Sequence, residues 1–83
     1  MYVYILRCRD STLYTGIARD PLARLKVHNS GKGAKYTRAR RPCSLVYKEK
    51  HPDLSASLKR ERQIKKLSRA QKLSLIKRTN NGS

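Results

Sequence analysis

At 83 residues and a net charge of +16, from 21 Lys and Arg against 5 Asp and Glu, this chain has room for one small domain. Two cysteines allow at most one disulfide, and no apolar run approaches the roughly 20 residues that span a bilayer. These figures exclude a multidomain enzyme, a disulfide scaffold and a membrane protein.

Leu, Ile and Val number 17, and Phe and Trp are absent. So charged a composition approaches that of disordered chains, and only clear apolar periodicity argues for a fold. Residues 1–30 hold five basic and two acidic side chains; residues 31–83 hold sixteen and three. That much like charge repels itself unless a polyanion is at hand, which points to nucleic acid. An anionic membrane would call for a helix with bulky apolar anchors, and Trp and Phe are lacking. The basic start Met1–Asp10 has no signal-peptide stretch, and Cys8 and Cys43 read as reduced, structural thiols, as in a cytoplasmic protein.

Met1–Cys8 and Leu13–Ala18 alternate as strands around turn chemistry at Asp10-Ser11. Val3, Ile5, Leu13 and Ile17 are all odd-numbered. If they share a core face, odd pairs with odd, the loop has an odd count, and Tyr4, Tyr14 and Gly16 share the other face. Asp20 caps a helix that starts with Pro21, runs to about Asn29 and stops at Gly31, with Leu22 and Leu25 inward and Arg24 and His28 together on another face. Lys32–Cys43 is a basic loop. Ser44–Lys50 is a third strand, with Leu45 and Tyr47 against Val46 and Lys48. Pro52-Asp53 caps a second helix over Leu54–Leu67, and the box Ser68-Arg69-Ala70-Gln71 opens a third, to about Arg78. The expected architecture is α+β in the order ββαβαα, a three-stranded sheet flanked by helices. Residues 1–79 form one domain and 80–83 a flexible tail.

Of the five acids, Asp10 suits the turn, Asp20 and Asp53 the caps, and Glu49 a strand end between lysines. Glu61 remains, beside the apolar stripe of Leu54, Leu58 and Ile64. It could pair with Lys65 at i,i+4, or aim at the sheet and hold a divalent cation. Cys8, His28, Cys43 and His51 lack the close Cys-x-x-Cys pair of a zinc site.

Tyr2-Val3-Tyr4, then Tyr14-Thr15-Gly16 ten residues after Tyr4, then Arg24 and later Glu61, resemble in order and spacing the motifs of the GIY-YIG nucleases. The run His28–Thr37 followed by Arg41-Pro42 is similar to the small stand-alone bacterial members and to the catalytic domain of structure-selective flap and junction nucleases. The match covers about residues 2–78. Tyr2 replaces the first motif's Gly and Thr15 the second motif's Ile, while the late Asn of the family has no secure counterpart, Asn80 and Asn81 lying near the end.

The resemblance implies an endonuclease that hydrolyses phosphodiester bonds with one divalent metal, usually magnesium, with manganese as the alternative. It implies DNA rather than RNA as substrate, branched or damaged forms and repair included, and a separate protein partner to supply targeting. Tyr4 would be the base and Tyr14 its partner, or the two with roles exchanged, with surrounding cations lowering the phenol pKa from near 10. Arg24 would stabilise charge on the phosphate, and Glu61 would hold the metal. Gly16 would allow close approach, with His28 and Tyr36 in support. Lys32, Lys35, Arg38, Arg40 and Arg41 would take phosphates. The competing class is a non-catalytic nucleic-acid binder on the same fold.

Overall fold

The computed structural model describes residues 1–81, with side chains to residue 78. The order is β1 (Tyr2–Arg7), β2 (Leu13–Ala18), α1 (Pro21–Asn29), α2 (Lys35–Arg38), β3 (Ser44–Lys50), α3 (Leu54–Lys65) and α4 (Arg69–Asn81). The α+β architecture and the three-stranded sheet are as expected. The basic loop adds one helical turn, α2, that its composition did not announce. Helix α3 ends two residues before Leu67, and α4 carries through Asn81. The tail expected over 80–83 includes residues 82–83, which lie outside the described ones.

The sheet is antiparallel throughout, in the order β2-β1-β3. Central β1 is covered on both faces, so Val3, Tyr4, Ile5 and Leu6 are all buried. The hairpin pairs Val3 with Ile17, Tyr4 with Gly16 and Leu6 with Tyr14. Odd pairs with odd, as the apolar pattern requires. The loop between the paired ends spans Cys8–Thr12 and closes through Cys8 N–H to the Thr12 carbonyl at 2.8 Å. Ser11 takes a left-handed φ of 68° there.

Two small cores result. Val3, Ile5, Tyr47, Ile64 and Ile76 pack on the odd face, with Leu13, Ile17 and Val46 against them. Tyr4, Leu6, Cys8 and Cys43 pack on the other, with Tyr14, Leu25 and Leu45. Strand β3 departs from simple alternation. A bulge between Ile5 and Leu6 lets Ile5 face Tyr47 while Leu6 faces Leu45. The extra residue flips parity, so Leu45 joins one core and Val46 and Tyr47 the other. Leu22, expected inward, is 56% exposed, because Leu25 and His28 already fill the face of α1 turned to the sheet.

The helices start where their caps dictate. Asp20 accepts from Ala23 N–H at 3.2 Å and Asp53 from Ala56 N–H at 2.8 Å. Ser68 and Gln71 form the reciprocal box. Glu49, read from sequence as an ordinary strand-end acid, is a half-buried hub. It accepts from the Tyr47 hydroxyl, binds His51 Nε2 at 2.5 Å and accepts from Arg60 Nε at 2.9 Å. Burial alone would raise its pKa. The three hydrogen bonds win and hold the carboxyl below its usual value. Arg60 thereby pins α3 to β3.

Thr15 faces Ile5 in the odd core, 4% exposed, and its hydroxyl finds no partner. A buried unpaired hydroxyl costs about 1–3 kcal/mol, and Val has nearly the same shape. Thr15→Val is expected to raise unfolding free energy by about 1 kcal/mol in a urea titration. A neutral or destabilising result would mean that the hydroxyl is satisfied.

Candidate active site

The hairpin register sets the site. Tyr4 lies opposite Gly16, and its phenol rests across that glycine. A Cβ at position 16 would stand 2.6 Å from Tyr4 Oη and 2.7 Å from Cζ, so no larger residue fits without moving the hydroxyl. From there Tyr4 Oη reaches His28 Nε2 at 3.0 Å. His28 Nδ1 lies 2.8 Å from Thr37 Oγ1, and Thr37 donates its hydroxyl proton to the Ala34 carbonyl at 3.0 Å. That order sets the tautomer. Thr37 has spent its proton, so His28 Nδ1–H donates to it, and the Nε2 lone pair accepts from Tyr4.

Tyr4, His28 and Thr37 are 1%, 2% and 0% exposed, and the charged states of Tyr4 and His28 are disfavoured. Burial, with neighbouring Tyr14 adding to it, pushes the Tyr4 phenol up to about 12, against a smaller pull from Arg24. Burial first, and Arg24 second, hold His28 below its usual value of 6.5. The sequence suggested that cations would lower the tyrosine's pKa. Arg24 acts in that sense, but desolvation is larger, and both Tyr4 and His28 rest neutral.

A pocket of about 570 Å³ opens over this chain. Tyr4, Tyr14, Gly16, Arg24, His28, Lys32 and Glu61 line it, with Met1, Leu54 and Leu58 at its apolar side. Sequence-distant candidates from β1, β2, α1, the following loop and α3 thus converge. Tyr14 packs edge-on to the His28 ring at 5.2 Å. Glu61 pairs with Lys65 at 3.4 Å, so the helical pair that spacing predicts is formed by the same carboxylate that faces the pocket.

The other candidates stand apart. Tyr36 stacks behind Tyr14 at 5.8 Å, under the Arg40 guanidinium at 4.2 Å from its ring centre, and supports the site from outside it. Arg40 is held by Asp10 at 3.2 Å and by the Tyr36 carbonyl at 2.8 Å. Lys35, Arg38 and Arg41 do not line the pocket. The side chains of Asn80 and Asn81 lie outside the described residues. Sequence reasoning missed Thr37, whose only signal was its place in the run after His28, and the apolar lip of Leu54 and Leu58.

Among the described residues no three His, Cys, Asp or Glu side chains gather into a metal cage. The donor set is one carboxylate, Glu61, on an open pocket suited to an anion. Such a lining is compatible with a hard divalent cation, which keeps its waters and takes one or two carboxylates plus phosphate oxygens. No described helix is long and apolar enough to cross a membrane.

Comparison with known proteins agrees with this fold. The GIY-YIG catalytic domain matches residues 1–74. A UPF0213 protein of Syntrophus aciditrophicus is 62% identical over 77 residues, covering 92% of this chain and 88% of that one. One from Staphylococcus aureus is 54% identical over 76 residues, covering 92% and 93%. The solution structure of protein EF2693 from E. faecalis shares 43% identity with a TM-score of 0.63, covering 95% of this chain and 84% of that one. That of the UPF0213 protein BH0048 from Bacillus halodurans shares 46% with a TM-score of 0.59, covering 92% and 81%. GIY-YIG nucleases act on nucleic acid and are generally dependent on a divalent metal. The chain belongs to the GIY-YIG catalytic-domain family, a nuclease-type domain, alongside the small bacterial UPF0213 proteins.

Proposed function

We propose that this protein is a metal-dependent endonuclease that hydrolyses DNA phosphodiester bonds in the pocket of Tyr4, Tyr14, Arg24, His28 and Glu61. The observation that carries the reading is the buried Tyr4–His28–Thr37 chain, whose free end meets the pocket. A phenol held near 12 is a poor base by itself. Here His28 Nε2 is oriented to take the Tyr4 proton as Tyr4 takes one from water. The oxygen of that water attacks phosphorus, the bond to the 3′ oxygen breaks, the departing oxygen takes a proton from solvent, and one proton is left on His28. Arg24 and Lys32 face the pocket and would balance charge on the phosphate. Glu61 would hold the divalent cation, magnesium or manganese, which when bound supplies charge stabilisation to the leaving oxygen. Tyr14 would orient the water.

The test is cleavage of linear and branched DNA and RNA with Mg²⁺ or Mn²⁺ against chelator. DNA cleavage that chelator abolishes is expected. Tyr4→Phe should lower the rate by about 10²-fold or more with unchanged affinity. Glu61→Gln should lower it at least as far while metal-free binding holds or tightens, since one carboxylate fewer repels phosphate. The binding-module reading is favoured by one observation, the engagement of Glu61 by Lys65. It wins if wild type binds tightly and cleaves nothing across the panel.

A pH series checks the role of His28 separately. Its folded pKa is depressed, so its contribution to stability is fully present above about 6.5 and is lost as pH falls through the folded value. Melting temperature should decline from pH 6.5 to 5, and His28→Gln should flatten that decline. Glu49, also depressed, acts below its usual 4.5 and so outside this window. Cleavage should show an acid limb below 6.5. A wild-type melting curve flat from pH 8 to 5 would remove His28 as the buried neutral base.

A further inference from the structure

We infer a second phosphate-binding site at the opposite end of the sheet, in a hollow of about 450 Å³ where Arg9, Arg38 and Arg41 meet beside Asn29 and Pro42. None of its lining residues belongs to the Tyr4 pocket. The inference rests on the nucleic-acid reading above and extends it to where a second phosphate sits.

The hollow is built rather than incidental. Arg41 Nε donates to the Arg38 carbonyl at 2.8 Å, and one terminal N–H donates to the Asn29 carbonyl at 3.5 Å. Gly31, at φ 86°, leaves room for the guanidinium; a Cβ there would lie 2.7 Å from Nη1. Three of the five N–H donors of Arg41 therefore stay free in a held orientation. Arg9 is placed by its own backbone, whose N–H donates to the Arg40 carbonyl at 3.0 Å.

The Arg9 and Arg38 guanidiniums have no ion pair or hydrogen bond among the described residues. Asp10, the neighbouring acid, is engaged by Thr12 and Arg40. The Asn29 amide is taken by the Cys43 backbone, at 2.7 Å and 3.0 Å. No carboxylate among the described residues lines the hollow, so three like charges gather there without a described counter-ion. An anion with several oxygens relieves that repulsion, and the planar guanidinium fork matches phosphoryl oxygens. The source is either an internal phosphodiester or a 5′-terminal phosphate.

Arg9 lies five residues along the chain from Tyr4, at most about 17 Å at roughly 3.3 Å per extended residue. A strand stacked at the duplex step of about 3.4 Å crosses that span in roughly five nucleotides.

The test is metal-free binding of single-stranded oligodeoxynucleotides of increasing length, with 5′-phosphate or 5′-hydroxyl ends. Wild-type affinity should step up beyond about six nucleotides. Arg9→Gln/Arg38→Gln/Arg41→Gln should lose the step, weaken a 12-mer about tenfold or more, and flatten the log K against log salt slope by about 2, from roughly 0.7 per contact. Arg9→Gln/Arg38→Gln breaks no hydrogen bond of the fold and should give a partial loss at unchanged melting temperature. Lys66→Gln/Arg69→Gln/Lys77→Gln removes equal charge elsewhere and should keep the step. Dependence on the 5′-phosphate identifies a terminal group; indifference identifies an internal one. Equal losses in the two triple variants, or none in the first, would overturn the site while leaving the nuclease reading intact. If wild type binds no oligonucleotide at low salt, both readings fail.

Discussion

The pairing of Tyr4 with Gly16 across the hairpin is the constraint on which the site depends. It puts a phenol on the covered face of the central strand, and the missing Cβ lets that phenol lie flat across β2. Its hydroxyl then emerges where α1 presents His28. A shift by one residue would send Tyr4 into the odd core and bring Val3 and Ile5 to the pocket. The same parity that buries Val3, Ile5 and Ile17 thus aims the candidate base. Folding and site formation are a single register choice, made by the apolar residues.

Glu61 depends on a second, separate device. It sits on α3, which packs on the far side of the sheet from α1, through Ile64. It lines the Tyr4 pocket together with Gly16, Ile17 and Ala18 of β2, and that needs a defined rotation of the helix. The neighbouring Arg60 provides one, bonded to Glu49 on β3. Successive helical positions point about 100° apart, so fixing Arg60 toward β3 swings Glu61 toward β2. The β3 bulge contributes as well, since the extra residue lets Val46 and Tyr47 both support the core beneath that helix.

The legible parts of the sequence were those ruled by local chemistry or strict period. Asp20, Asp53 and the Ser68–Gln71 box declared the helix starts, and odd parity declared the hairpin faces. Tyr4, Tyr14, Arg24 and Glu61 were legible through their order and spacing, which a motif preserves although no local rule links them. The rest depended on long-range contacts. One extra residue in β3 leaves no mark in a run of alternating side chains. Leu22 looked like a core residue, because exposure depends on what α1 meets. Glu49 looked solvated between two lysines, until Arg60 and His51 arrived from other elements. The direction of the Tyr4 pKa needed burial as well as nearby charge, and composition reported only the charge.

A protein that merely gripped phosphates would need Arg and Lys at its surface and nothing polar beneath. This one buries a tyrosine hydroxyl, an imidazole and a threonine hydroxyl in a line. Burying such groups is unfavourable unless each is paired, and apolar side chains of like shape would be as stable or more so. Every link here is paired, down to the Ala34 carbonyl. The pairing also leaves one consequence that packing does not require: the lone pair of His28 Nε2 is turned toward the phenol at the pocket. With Tyr4 held near 12 and His28 below 6.5, the proton rests on Tyr4. In the proposed endonuclease an arriving phosphate and cation would change that balance. A buried pair that is neutral at rest and open to polarisation suits the general-base role proposed for the tyrosine, and phosphate binding alone does not require it.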